Sequence, residues 1–243
     1  LGRAVAAVVA PDAWYLKGGL SAAALEEALT GRSFVAARRI GKVLLLDVAG
    51  GPTLGLRFGM TGRLLVDGSA GVEELVYASV RDEVAWDRLR LDFVDGGELR
   101  VRDPRRLGGV FVDPDESRLG VDALAVTRSG LARVLAASTA PLKARLMDQA
   151  RLAGVGNLAA DEILFRAGLD PARPAASLTP AELRRLHRHV VQTLDDLIAG
   201  GGSHTGTLQP SRMAGGSCPR DGAPLVRRTI GGRTTWSCPR HQV

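Results

Sequence analysis

Apolar and polar positions alternate through the first half of the chain. Residues 41–48 (GKVLLLDV), 53–60 (TLGLRFGM), 89–96 (LRLDFVDG) and 98–103 (ELRVRD) are short alternating or continuous apolar runs. Gly-Gly, Asp-Gly and Gly-Pro pairs punctuate them, which predicts strands joined by tight turns. Asp95-Gly96-Gly97 predicts a hairpin between the last two runs. Short, regularly spaced strands over residues 1–118 predict a sandwich or barrel.

The period changes after residue 118. Residues 129–137, 141–149 and 158–167 read as helices, the third with apolar positions at i, i+4 and i+5. Thr179-Pro180-Ala181-Glu182 predicts a helix start, with Thr179 as N-cap, Pro180 in the first helical position and Glu182 closing a capping box. That helix should run to about residue 199 and stop at Gly200-Gly201-Gly202. Residues 203–216 (SHTGTLQPSRMAGG) read as a polar, Gly-rich linker. Beyond them, strands around LVRRTI and RTTWSC joined by Gly231-Gly232 predict a last hairpin. The fold class expected is α+β.

Composition adds a partner. Aromatic residues are 4% of the 243 against 45% apolar, so the core must be aliphatic. The formal charge of +6 and sequence pI of about 10.1 suit a polyanion, usually nucleic acid, although an Arg-rich genome gives the same bias. The lysines are Lys17, Lys42 and Lys143, and almost all other positive charge is Arg. Each lysine is therefore a candidate nucleophile, which arginine is not. No apolar run reaches bilayer length and no signal peptide is visible, so a cytoplasmic, nucleoid-associated protein without a membrane partner is expected.

Five motifs carry candidate chemistry. Cys218, Asp221, Cys238 and His241 stand in the spacing C-x2-D-x16-C-x2-H, two corners joined by a hairpin. All four are competent zinc ligands, and a 27-residue unit has little core of its own; the alternative is a finger held by hairpin contacts alone. Arg227, Arg228 and Arg233 line that hairpin and read as a phosphate clamp or as a solvated strand face. Ala153-Gly154-Val155-Gly156-Asn157 precedes a helix, where exposed N–H groups make a generic anion site. Arg102-Asp103-Pro104-Arg105-Arg106-Leu107 is a turn with arginines at its tip, and Met60 lies between glycines on another; either turn is an ordinary surface feature or a wedge for DNA. Arg38-Arg39-Ile40-Gly41-Lys42 enters a strand.

In this order the segments RRIGKVLLLDV, LRFGMTGRL, RDPRRLGG, LKARLMDQARLAGVGNLAADEILFRAGLDP and GGRTTWSCPRHQ resemble the formamidopyrimidine-DNA glycosylase / endonuclease VIII family over the whole chain. The resemblance implies a β-sandwich lobe (1–118), a helix–two-turn–helix lobe (119–208) and a zinc-finger-like hairpin (209–243), with one structural zinc and DNA crossing the cleft. It implies a monomer acting on damaged bases or abasic sites in duplex DNA, as a glycosylase and abasic-site lyase through an imine. Residue by residue, Lys42 resembles the lysine that contacts phosphates and assists strand cleavage. Met60, Arg106 and Leu107 resemble the residues filling the gap left by a flipped base. Lys143 and Asn157 resemble phosphate-holding residues, and Arg233 the backbone-gripping arginine of the hairpin.

The departures set expectations too. Asp221 and His241 replace two cysteines, Leu107 replaces a common Phe, and Arg57 stands where His is frequent. The stretch 203–216 is shorter than the family's lesion-reading loop. Family members begin with Pro-Glu, the amine nucleophile and its proton partner, whereas this sequence begins Leu1-Gly2-Arg3, matching the end of that helix. A Pro-Glu start upstream predicts a bifunctional enzyme. Without it the expectation is a non-catalytic lesion binder, or Lys42 as replacement amine with Arg38 and Arg39 lowering its pKa. A zinc-finger transcriptional regulator fits less well, the finger being single, and the β lobe argues against an RNA-binding helical module.

Overall fold

Along Asp87–Phe93 every second side chain is buried and those between are half-buried, the period of two that a strand imposes. In the computed structural model, which describes residues 1–71, 79 and 81–243, such strands build two antiparallel sheets within a first compact unit, Leu1–Glu116. The strands in chain order are β1 (Val5–Val9), β2 (Phe34–Ile40), β3 (Val43–Val48), β4 (Thr53–Arg57), β5 (Arg63–Val66), β6 (Ser69–Ala70), β7 (Asp87–Phe93), β8 (Glu98–Arg102) and β9 (Gly109–Val112). One sheet has the order β1-β7-β8-β5-β6 and the other β2-β3-β4-β9. Leu89, Leu91, Leu99 and Val101 of the first share one core with Phe34, Leu46, Leu54, Leu56 and Val110 of the second. The core is aliphatic, as the scarcity of aromatics requires. The hairpin at residues 95–97 forms as expected, with Gly96 at φ 87° and Gly97 at φ 73°, values glycine adopts without a Cβ clash.

One helix departs from the all-β expectation for this region. Helix α1 (Ala22–Leu29) is capped by Ser21, whose hydroxyl accepts the Ala24 N–H. Its buried face is the single i, i+4 pair Leu25 and Leu29, too short a stripe to outweigh the surrounding strand pattern in the sequence.

The second compact unit, Ser117–Val243, holds α2 (Arg128–Leu135), α3 (Leu142–Leu146), α4 (Asn157–Ala167) and α5 (Pro180–Ala199). It also holds the short parallel pair β10 (Val121–Asp122) and β11 (Leu152–Ala153), and the hairpin β12 (Val226–Ile230) and β13 (Arg233–Ser237). Leu131, Leu142, Leu146, Ile163, Leu164, Leu186 and Val190 form its main core. Helix α3 is shorter than its sequence suggests, because the chain turns at Met147 and the Arg151 and Leu152 N–H groups bond back to the Asp148 carbonyl. Among the described residues no helix is long and apolar enough to cross a membrane.

Helix α5 begins at the expected capping box: Thr179 Oγ1 accepts the Glu182 N–H, and Glu182 accepts the Thr179 N–H. Thr179→Ala should cost about 1 kcal/mol in a urea titration. The Arg173 guanidinium, then the Thr179 N–H, hold the Glu182 carboxyl down from its ordinary 4.5 to about 2. A depressed folded pKa means the native state binds fewer protons than the unfolded chain. The stability from Glu182 is therefore complete above about pH 4.5 and lost as pH falls toward about 2. Glu182→Gln should flatten that part of the acid limb, and an unchanged limb would remove Glu182 from the account.

The stretch 203–216, expected as a slack linker, is pinned. Glu162, buried on α4, accepts the Thr207 and Leu208 N–H groups at 3.1 and 2.8 Å. Leu208 is fully buried in a small core with Phe165, Cys218, Leu225 and Trp236. Composition marked the segment as polar; a buried carboxylate and one leucine decide its order.

Candidate functional site

In the first unit the candidate residues sit on turns held by the sheets. Lys42 occupies the β2–β3 turn after Gly41, whose φ is 56°, and is exposed. Arg38 does not lend it an unanswered positive charge. Its guanidinium donates to both oxygens of Asp47 and of Glu116, the latter at 2.6 Å, so the positive charge of Arg38 is already answered by two carboxylates. Arg39 Nη1 donates to the Gly41 carbonyl at 2.7 Å and so braces the Lys42 turn. Arg57 lies over the Phe111 ring at 5.2 Å.

The turn after β4 and the loop after β8 are packed together. A Cβ on Gly59 would stand 2.7 Å from Leu107 Cβ and 2.8 Å from its carbonyl carbon; only glycine allows this approach. Met60 and Leu107 remain 53% and 44% exposed, so two apolar side chains project from adjoining turns. The loop is organised by Asp103, which is fully buried. Its carboxylate accepts the Thr61 hydroxyl and the N–H groups of Arg105 and Gly108, the last at 2.8 Å. Arg106 adopts φ 57°, unusual for a side-chain-bearing residue, and its guanidinium donates to Asp12 at 2.6 Å. Arg105 is exposed, and its side chain has no hydrogen bond or ion pair among the described residues. Of the two arginines, Arg106 is therefore the braced one and Arg105 the one available to a ligand. Adjacent identical side chains cannot be told apart in the sequence; the partner Asp12, 94 positions away, separates them.

In the second unit Lys143 is not a surface phosphate contact. Its Nζ is enclosed, 2.7 Å from Asp161 Oδ1, and donates to Thr235 Oγ1 at 2.7 Å and the Thr234 carbonyl at 3.1 Å. Burial pushes this amine's pKa down while Asp161 pulls it up. Asp161, also fully buried, accepts from Arg212 Nη2 at 2.8 Å and from the Trp236 N–H at 3.3 Å. One carboxylate on α4 thus ties together α3, the hairpin and the 203–216 segment.

Asn157 opens α4 one turn before Asp161, on the same face. Its Oδ1 is buried without a hydrogen-bond partner among the described residues, and Gly156 provides no side-chain cap, so the first N–H groups of the helix stay available. Gln149 shapes the turn before it, accepting the Gly154 N–H and donating to the Val155 carbonyl at 2.9 Å. The hairpin turn Gly231-Gly232, at φ 58° and 71°, lies on α3: a Cβ at Gly231 would come 2.9 Å from Ala144 Cβ. Arg233 follows this turn, exposed. Arg227 and Arg228 do not join it in one clamp. Strand alternation puts Arg227, paired with Trp236, on the opposite face, and Arg228 is held by Asp170 and Ser237.

Cys218, Asp221, Cys238 and His241 converge, each offering one ligand atom, with all four within 4.8 Å of one another. Cys218 Sγ is 3.6 Å from His241 Nδ1, Cys238 Sγ is 3.4 Å from Asp221 Oδ2, and Nδ1 is 3.3 Å from Oδ2. A tetrahedral ion with about 2.3 Å bonds to sulfur and about 2.0 Å to nitrogen and oxygen requires edges of about 3.5 Å from sulfur and about 3.3 Å between nitrogen and oxygen. The donor chemistry fits a metal, and these three edges match the spacing. His241 Nε2 faces the Phe165 carbonyl at 3.3 Å, which favours the tautomer that presents Nδ1 to an ion. The two free cysteines are buried, and Asp221 is held well below the ordinary carboxylate range, first by the Ala223 N–H.

Two antiparallel sheets around one core, followed by a helical unit that ends in a Cys/Asp/His-bearing hairpin, define a mixed α and β architecture. The chain belongs to the formamidopyrimidine-DNA glycosylase family: that family's N-terminal domain matches residues 1–110 and its H2TH domain residues 119–208. A formamidopyrimidine-DNA glycosylase of Thermus thermophilus is 35% identical over 235 residues, covering 86% of this chain and 82% of the relative. That of Gluconobacter oxydans is 34% identical over 241 residues, covering 88% and 84%. Among solved structures, the Lactococcus lactis Fpg with a FAPY-dG-containing DNA superposes with a TM-score of 0.79 at 24% identity, over 99% of this chain and 93% of that one. MutM with DNA containing carbocyclic 8-oxo-G gives 0.80 at 24%, over 99% and 92%. At these identities the structural likeness concerns the fold.

Proposed function

We propose that this protein acts in base-excision repair, binding duplex DNA at damaged bases or abasic sites, removing the base and cleaving the strand as a glycosylase and abasic-site lyase. The observation that carries this reading is the pair of interlocked turns bearing exposed Met60 and Leu107 beside Arg105, whose side chain is left available. Apolar side chains on a stiff support, next to a cation, suit the hole left when a nucleotide leaves the stack. Family membership supplies the reaction class, an imine between a protein amine and the sugar. Of the three lysines Lys143 is buried, Lys17 half-buried and Lys42 exposed. We assign Lys42 to phosphate contact and assistance in strand cleavage. Asn157 with the start of α4, and Arg233, are assigned to the DNA backbone, and Lys143 to positioning the hairpin rather than to direct contact.

We also propose that the last residues, 209–243, work as a zinc-bearing hairpin. Zinc would be held by Cys218, Cys238, His241 Nδ1 and Asp221 Oδ2, and its chemistry there is structural, since four protein ligands leave no open position.

The test compares a duplex carrying one abasic site with the same duplex intact. The parent should bind the abasic duplex more tightly, with affinity falling steeply as salt rises, and should cut it at the site. Met60→Ala combined with Leu107→Ala should remove most of the preference. Equal affinity of the parent for both duplexes would sink the reading. Arg233→Ala should weaken both about equally and make the salt slope shallower by about one; an unchanged slope removes Arg233 from the interface.

A further inference from the structure

Trp14 leaves 67% of its surface in solvent, although an indole normally finds a neighbour to cover it. It is not on a slack loop. Its backbone N–H donates to Asp12 Oδ1 at 3.1 Å, the carboxylate that also holds Arg106 at 2.6 Å and meets Arg88 at 3.4 Å. The next residues run alongside the start of β9, with Val110 N donating to the Tyr15 carbonyl and Lys17 N to the Val110 carbonyl, both at 2.9 Å. Tyr15 is buried, its hydroxyl against Gly108. Lys17 then folds back: Nζ donates to the Trp14 carbonyl at 2.6 Å and stands 4.8 Å from the ring centroid. The Trp14 backbone is thus fixed on the scaffold that carries the Arg105–Leu107 loop and shares the Asp12 carboxylate with Arg106 of that loop, while the ring itself meets the Lys17 ammonium.

We infer that Trp14 is a further DNA-contacting residue, whose ring stacks on a base exposed where the bound duplex is distorted. Three observations select DNA as the occupant. The surface is continuous with the loop assigned to DNA. The cations placed around Trp14 are Lys17, Arg88 and Arg106, and the carboxylate among them, Asp12, is already paired. A flat aromatic face beside cations is how sequence-tolerant nucleic-acid binding is built, because every base offers a π-face. The cation over the Trp14 ring also fixes the ring's orientation before DNA arrives.

The inference rests on the DNA-binding reading, and the experiment separates the two. Anisotropy of a labelled abasic duplex reports binding, while tryptophan emission reports the indole. Saturating DNA should quench the parent's emission. Trp14→Phe should lose most of that quenching yet bind within about twofold, since a ring remains. Trp14→Ala should bind on the order of tenfold more weakly, with an unchanged melting temperature because the side chain covers little. Binding with unchanged emission, or Trp14→Ala binding like the parent, overturns the inference alone. No binding by anisotropy at low salt overturns both readings. A concentration-dependent change in mass that Trp14→Ala abolishes, without any DNA effect, would mean that a second copy of the chain covers the indole, and overturns it as well.

Discussion

Asp161→Ala should destabilise the protein by about 3–5 kcal/mol, the cost expected when one member of a buried ionic cluster is removed. Lys143 has no solvent access and Arg212 little, and Asp161 is the carboxylate between them. Deleting it leaves two cations facing each other in the interior and takes an acceptor from the Trp236 N–H. The melting temperature should fall by on the order of 10 °C. Replacing the charges together should be milder than the sum of the single changes, because an apolar substitute for a buried pair is often tolerated whereas an orphaned charge is not. Lys143→Met added to Asp161→Ala should therefore recover part of the loss. A single-variant loss below about 1 kcal/mol in urea would show that water or neighbouring groups already satisfy the two cations. The hairpin should loosen with the cluster, so weaker DNA binding by Asp161→Ala should persist at temperatures where the variant remains folded.

Removing metal should have an effect of comparable size, confined to the end of the chain. The purified protein should carry about one zinc, as counted by metal analysis, because four ligand atoms already stand within 4.8 Å of one another. The local core beneath them is small, built from Phe165, Leu208, Cys218, Ala223, Leu225, Trp236 and Cys238. In zinc-finger peptides the ion supplies on the order of 10 kcal/mol that the side chains cannot. A chelator should therefore shift emission from Trp236, 8% exposed in the structure, to longer wavelength, and should weaken DNA binding. Cys238→Ala should lose the metal outright. Asp221→Cys should bind it more tightly, since thiolate is the softer ligand. Folded, DNA-binding protein that neither contains nor takes up zinc would refute the assignment.

Much of the fold could be read from the chain because local physics decides it. The strand at 87–93 follows an apolar alternation of period two, and that at 43–48 is a short apolar run bounded by turn glycines. The Thr179-Pro180-Ala181-Glu182 start of α5 carries its own hydrogen-bonding partners within four residues. The convergence of Cys218, Asp221, Cys238 and His241 was legible for the same reason, since the paired corners at 218–221 and 238–241 need only a hairpin to meet, and Gly231-Gly232 supplies its turn. The motifs together with the family resemblance made Lys42, Met60, Arg106, Leu107, Lys143, Asn157 and Arg233 the candidates.

Tertiary structure decided what each charged group is free to do. Asp103 looked like half of a turn and is the buried acceptor around which the Arg105–Gly108 loop is wound. Lys143 looked like a phosphate ligand and is enclosed by Asp161, Thr234 and Thr235. Arg105 and Arg106 are indistinguishable neighbours until Asp12 takes one of them. The 203–216 segment looked slack until Glu162 and Asp161 fixed it. Except for the loop wound on Asp103, the partner lies well along the chain, and whether a charge is exposed or spent depends on which group folding brings beside it. Periodicity and capping act over a few residues and are written in the sequence, whereas the pairing of charges acts through space and exists only once the fold has closed.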